Sequence, residues 1–298
     1  MFNNIRKNWG LYFLLLPSVI LLLLFAYKPM YGVIIAFKNY KPIDGIWGSQ
    51  WVGLQNFIRF FNSFQFTTVI KNTVVISLYG ILAQFPLPII FALTLNQMRQ
   101  EKFKKVFQTI TYMPHFISTV VMVGLILIFL SPSSGLIGVV FGFFGKEAPN
   151  LMGMPKVFSS IYVWTDVWQH TGWDSIIYLA ALAAVDVSLY EASTVDGASR
   201  WQKILYIDLP MLLPTATVLL ILRVGRTMSV GFEKVYLMQN NLNLSASEII
   251  STYVYKTGIL DSQYSYSAAI ELFNTIVNLA LLVVVNKVAK KVSGNSLL

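Results

Sequence analysis

Tyr190-Glu191-Ala192-Ser193-Thr194-Val195-Asp196-Gly197-Ala198-Ser199-Arg200-Trp201-Gln202-Lys203-Ile204-Leu205-Tyr206-Ile207-Asp208-Leu209-Pro210 is one of the longest polar stretches in an otherwise strongly apolar chain. Just upstream, Ser188 and Glu191 have the S-x-x-E spacing of a capping box, which predicts a helix beginning at Leu189. Gly197 interrupts that helix, because glycine takes the left-handed conformation beyond a helix end without a Cβ penalty. Ser199 and Gln202 repeat the box as S-x-x-Q, so a second helix restarts there. Pro210 and Pro214 follow at the start of an apolar run, where a kink is expected. The stretch thus predicts a short helix, a corner and a second helix. A rigid knob of that kind is suited to a groove in a soluble partner.

Working outward, apolar runs lie on both sides of this knob. A bilayer core of about 30 Å needs roughly 20 apolar residues per helix. Six stretches qualify, at about 11–36, 68–95, 109–130, 157–182, 207–230 and 267–287. Each is interrupted: Lys28 and Pro29 break the first, Pro86 and Pro88 the second, and Asp166, His170 and Asp174 lie inside the fourth. Such interruptions point to a bundle around a polar path rather than to isolated anchors. The fold expected is all-α, one integral membrane bundle over 1–298 with its core at about 68–290.

Composition agrees. Of 298 residues 56% are hydrophobic and 12% charged, where a soluble domain carries about a quarter charged residues. Mean hydropathy is +0.63, which makes lipid the expected solvent. The net charge of +9 does not point to nucleic acid, because the basic residues sit in short pieces between apolar runs rather than on one face. The chain has no cysteine, which excludes disulfides, thiol nucleophiles and iron–sulfur clusters. His115 and His170 lie far apart with no metal-ligand spacing around them. No phosphate-binding loop is present either: Gly145-Lys146 is followed by Glu147, with Val140 where the first glycine belongs. ATP hydrolysis would have to come from another chain. Arg6 and Lys7 precede an apolar run too long for a cleaved signal peptide, and the run reads as a retained first span.

Orientation follows from the basic residues. With the N-terminus inside, the inner segments hold Arg6, Lys7, Arg99, Lys102, Lys104, Lys105, Arg200, Lys203, Lys287, Lys290 and Lys291. The outer segments hold Lys38, Lys41, Arg59, Lys146, Lys156, Lys234 and Lys256 over a greater length. The denser inner set places both termini in the cytoplasm. The outer segment 38–66 carries Trp47, Trp51, Phe57, Phe60, Phe61, Phe64 and Phe66, which suits interfacial anchoring or packing on the bundle.

The knob also carries a resemblance. Glu191, Ala192, Gly197, Ile207, Leu209 and Pro210 fall in register with the EAA loop of ABC-importer permeases, with Ser193 replacing the second alanine. Asp196-Gly197-Ala198, Trp201-Gln202 and Gly231-Phe232-Glu233 resemble the carbohydrate-uptake (maltose-permease-like) branch, and most nearly its oligosaccharide and polysaccharide subgroup. The resemblance implies a type I ABC importer transmembrane fold in a bacterial plasma membrane. It implies a second permease, commonly a different chain, two ATPase subunits that hold ATP and Mg, and an extracellular solute-binding protein. No cofactor and no catalytic residue is implied on this chain. About 188–210 would be the coupling loop, with Glu191 and Arg200 making charged contacts. Ala192, Ala198 and Trp201 would form the packed face, Gly197 the corner, and Leu209 and Pro210 the entry to the next span.

The path for solute is read from polar stripes. Asp166, Gln169, His170, Trp173 and Asp174 fall on one face of the fourth span. Arg223 and Arg226, followed by Ser229, lie in the fifth, and Glu271, Asn274 and Asn278 share a face of the sixth. Carboxylates, amides and guanidinium groups suit sugar hydroxyls, and Trp173 suits a sugar ring face. Pairing of Asp166 or Glu271 with Arg223 or Arg226 to hold the bundle is an equally direct use of these charges. An acid–base role for Asp166–His170–Asp174 lacks any accompanying nucleophile motif. A non-sugar solute such as a phosphorylated polyol stays open, as does an ATP-independent channel or secondary transporter, although no inverted repeat is visible.

Overall fold

The computed structural model describes residues 8–98 and 100–293, so Arg6, Lys7 and Arg99 lie outside the described residues. The architecture is helical. The one sheet among the described residues pairs β1 (Lys38–Asn39) with β2 (Gln50–Trp51), antiparallel, Lys38 opposite Trp51. Four continuous helices are long and apolar enough to cross a membrane, and two bent pairs bring the number to six.

Two compact units divide the chain. The first comprises residues 1–63 and 254–273. Its span runs over Trp9–Phe37, and no residue of its opening helix α1 (Trp9–Leu22) is buried. Pro17 sits within α1. A helix apolar all round and uncovered by its own unit has lipid or another membrane protein as its solvent. The aromatic outer segment packs here. Phe60 is fully buried and meets Tyr266 and Phe273 edge-on. Arg59 lies over the Tyr266 ring at 4.2 Å and donates to Gln263 Oε1. Lys38, read from sequence as an outer charge, is buried and donates to the Ile46 carbonyl at 2.7 Å.

The second unit comprises residues 64–253 and 274–298. Its second span consists of α2 (Phe64–Gln84) and α3 (Pro86–Asn96), broken at Phe85 where Pro86 begins the new helix. The third predicted span is not one helix. The chain forms α4 (Glu101–Tyr112), a 3-10 turn over Met113–Phe116 and α5 (Thr119–Phe129), with a 98° bend between the arms. Pro114 enters the turn, and Ser118 caps α5 by accepting from Val121 N. A hydropathy window cannot see either device.

At the centre stands α6 (Pro155–Ala183), whose 29 residues make it about 44 Å long. It packs against α3, α2, α4 and α9 (Leu209–Val224). Gly172 lets α4 approach: a Cβ there would lie 2.3 Å from the Thr111 carbonyl oxygen. The core around Phe158, Val163, Ile126, Val235, Met238 and Ile249 closes one part of the unit, and Tyr178, Leu182, Leu212 and Ala92 another. Irregular backbone between Met238 and Ile250 is satisfied by side chains, as an apolar surrounding demands. Asn72 donates to the Ser245 and Glu248 carbonyls. Asn243 donates to those of Met152 and Met238.

Candidate functional site

The knob is built as local chemistry demands, with one shift. α7 (Val187–Val195) begins two residues before the predicted Leu189, because Asp186 Oδ1 accepts from Ser188 N at 2.9 Å and caps the helix instead of Ser188. Its end is a Schellman motif: Ala198 N donates to Ser193 O at 2.9 Å and Gly197 N to Thr194 O at 3.1 Å. Gly197 has φ +75°. α8 (Arg200–Lys203) then opens with the predicted capping box, Gln202 Oε1 accepting from Ser199 N and Ser199 Oγ from Gln202 N. Lys203 Nζ reaches back to Thr194 Oγ1 at 2.7 Å and ties the two arms. Instead of an isolated kink at Pro210, a π-helical turn (Ile204–Asp208) widens the helix just before that proline, and one span continues from Arg200 to Val224.

What fastens the knob to the bundle is Asp208, which is fully buried. Its carboxylate accepts from the Tyr190 hydroxyl, from Gln97 Nε2 at 2.8 Å and from Asn96 Nδ2 at 3.4 Å. Burial, with the carboxylate beside it, pushes the Tyr190 hydroxyl up to about 12. Glu191, Ala192, Arg200, Leu209 and Pro210 are exposed and Ala198 half-buried. Val195 and Trp201 stand out at 87% and 73% exposure. A knob held by buried bonds, with bare apolar side chains at its tip, is a surface made to be covered.

In the same unit a cavity of about 480 Å³ lies among α2, α6 and the end of α9, within the range of small-molecule sites. Asp166, His170, Asp174, Arg223, Arg226 and Ser229 line it. Asp166 is not paired with an arginine. Its Oδ1 lies 3.1 Å from Lys234 Nζ and its Oδ2 accepts from Gln84 Nε2 at 2.8 Å. Lys234, read from sequence as an outer-loop charge, is buried in α10 (Phe232–Met238). Gln84 Oε1 accepts from Arg223 Nη2, and Ser77 Oγ donates to the Thr227 carbonyl. His170 lies 3.7 Å from Asp166, and its Nδ1 shares a hydrogen with His115 Nδ1 at 3.1 Å.

The predicted path residues do not all keep to the predicted stripes. Gln169 is buried and donates to the Ile117 carbonyl, holding the bend of the third span rather than facing the cavity. Trp173 stacks on His115 at 4.3 Å and lines a second cavity of about 470 Å³, with Gln84, Asp174 and Arg223. Arg226 and Ser229 are in a turn, not on the fifth helix, since α9 ends at Val224 and Gly225. Asn274 is buried, Asn278 donates to Ser229 Oγ at 3.0 Å, and Glu271 is exposed and belongs to the first unit. Gln84, Lys234, His115 and Asp208 were not singled out by sequence. The one available signal was a lone polar residue such as Gln84 beside Phe85-Pro86 inside an apolar run.

Residues 84–294 match the model of the binding-protein-dependent transport system inner membrane component family. The polygalacturonan/rhamnogalacturonan transport system permease protein YteP of Bacillus subtilis (strain 168) is 44% identical, over 94% of this chain and 88% of that protein. Protein LplB of the same organism is 41% identical, over 96% and 90%. A bacterial ABC transporter involved in import of the acidic polysaccharide alginate superposes with TM-score 0.91 at 38% identity, over 98% of this chain and 99% of that one. The alginate transporter in complex with its alginate pentasaccharide-bound periplasmic protein gives 0.92 at 37%, over 100% and 99%.

Proposed function

Because the chain belongs to the family of binding-protein-dependent transport system inner membrane components, we propose that the knob at 187–203 is its coupling element and the cavity beside Asp166 its solute path. The chain is a multi-pass membrane permease of an oligosaccharide ABC importer and not an enzyme. The similar proteins named for polygalacturonan and for alginate carry the oligosaccharide class to it.

The observation that carries the reading is the knob itself: a capped corner, bare at Val195 and Trp201, bonded through Asp208 to two spans. A separate ATPase, holding ATP and Mg, docks there. A solute-binding protein delivers the sugar from the other side. The importer takes two ATPase subunits and a second permease of different sequence, and both termini of this chain lie in the cytoplasm. Closure of the ATPase pair draws the knobs together, and the Asp208 bonds pass that movement to α3 and α9, so the cavity opens outward and hydrolysis resets it. Glu191 and Arg200 supply the charged contacts of docking, and Ala192, Ala198 and Trp201 the packed ones.

Gly197→Ala tests this. At φ +75° an alanine costs about 1 kcal/mol and turns the corner. The assembled importer with this variant should hydrolyse ATP without taking up sugar. Uptake at the wild-type rate would remove the role assigned to the corner. Deleting 189–203 should release the ATPase on purification.

A further inference from the structure

We infer that Arg226 is the group through which the cavity receives a carboxylate, so that the transported oligosaccharide contains hexuronate units. The inference rests on the cavity being the solute path, and the argument is one of charge. Asp166 is committed to Lys234 and Gln84. Arg223 is committed to Gln84, donating to its side chain and to its backbone carbonyl at 3.4 Å. Asp174 lies within electrostatic reach of Arg223. The two carboxylates, Asp166 and Asp174, thus stand against three cations, Lys234, Arg223 and Arg226.

Arg226 is the cation left over. Its backbone is fixed in the turn, its N–H donating to Arg223 O at 3.1 Å and its carbonyl accepting from Ser229 N at 2.9 Å. Its side chain is exposed on the cavity lining and has no hydrogen-bond or ion-pair partner among the described residues. A guanidinium in a cleft without a counter-charge of its own draws an anion to it. Its planar fork matches a carboxylate with two parallel hydrogen bonds, where sugar hydroxyls offer single, uncharged acceptors. Ser229 stands beside it. With its Oγ accepting from Asn278, its own hydrogen is free to point at a ring or hydroxyl oxygen.

The test uses the whole importer in cells, with ATPase-dependent uptake of short galacturonate and mannuronate oligomers compared with neutral galacto-, xylo- and malto-oligosaccharides and with glycerol phosphate. A uronate oligomer should be taken up. Its maximal rate should fall about tenfold or more in Arg226→Gln, while the half-saturating concentration, set by the binding protein, holds. Arg226→Lys should recover part of the rate. A variant present at normal abundance yet transporting the uronate normally would overturn the inference. So would uptake confined to neutral sugars or to glycerol phosphate. If no sugar enters in an ATPase-dependent way, the permease reading fails and takes the inference with it.

Discussion

Among the single residues, Lys234 and Asp166 form the most consequential pair. Lys234 Nζ also donates to the Tyr162 carbonyl at 3.3 Å and lies 5.0 Å from that ring. Its side chain is 6% exposed and that of Asp166 20%. Breaking such a pair from one side leaves a buried charge without an answer, at a cost of about 3–5 kcal/mol. Lys234→Met should therefore lower the thermal stability of the detergent-purified complex. Asp166→Asn combined with Lys234→Met should recover most of the loss, since both charges are then gone. Additive losses in the double variant would show that the two residues act separately. The pair was invisible in the sequence because its members stand 68 positions apart, and Gln84 and Arg223 stand 139 apart. Gly197, Ser199 and Gln202 were legible because their partners lie within four residues, where capping chemistry is decided.

The helices show the same division between local and distant causes. α6 and the last helix, α11 (Tyr264–Ser293), follow the hydropathy windows closely, since length and apolar content are local sums. The third and fifth spans do not. Pro114 and Ser118 fold the third back within its own apolar run, and the fifth leaves the helix at Gly225, where a Cβ would meet Leu282 at 2.7 Å. The join of α7 to α9 is made by Asp208, and its strength is open to measurement. Asp208→Asn turns an acceptor toward Gln97 into a donor and leaves a buried group unmatched, costing about 1–3 kcal/mol. Tyr190→Phe removes one donor while leaving Gln97 and Asn96 in place. Both variants should keep the ATPase bound, because the exposed face of α7 is unchanged. Both should lose the stimulation of ATP hydrolysis by the loaded binding protein, Asp208→Asn the more. Normal stimulation in Asp208→Asn would mean that movement reaches the spans by another route.

At the scale of the whole chain, the question is which side of the membrane each end faces. Burial sharpens the charge count on which the orientation rests. Lys38 and Lys234 stood among the outer basic residues, yet they are 8% and 5% exposed and bonded within the protein. Counted by the basic residues that face water in the folded chain, the outer set is two members smaller. The inner set of described residues keeps Lys102, Lys105, Arg200, Lys287, Lys290 and Lys291 at exposed positions. Because the chain has no cysteine, a single introduced thiol reports its own position without a background. Val195→Cys at the tip of α7 and Lys291→Cys near the end of α11 should react with a membrane-impermeant maleimide only after cells are permeabilised. Lys146→Cys, exposed between the third and fourth spans, should react in intact cells. Labelling of Val195→Cys from outside would invert the topology, put the knob out of reach of any cytoplasmic ATPase, and so break the link between the charge pattern and the coupling role drawn from it.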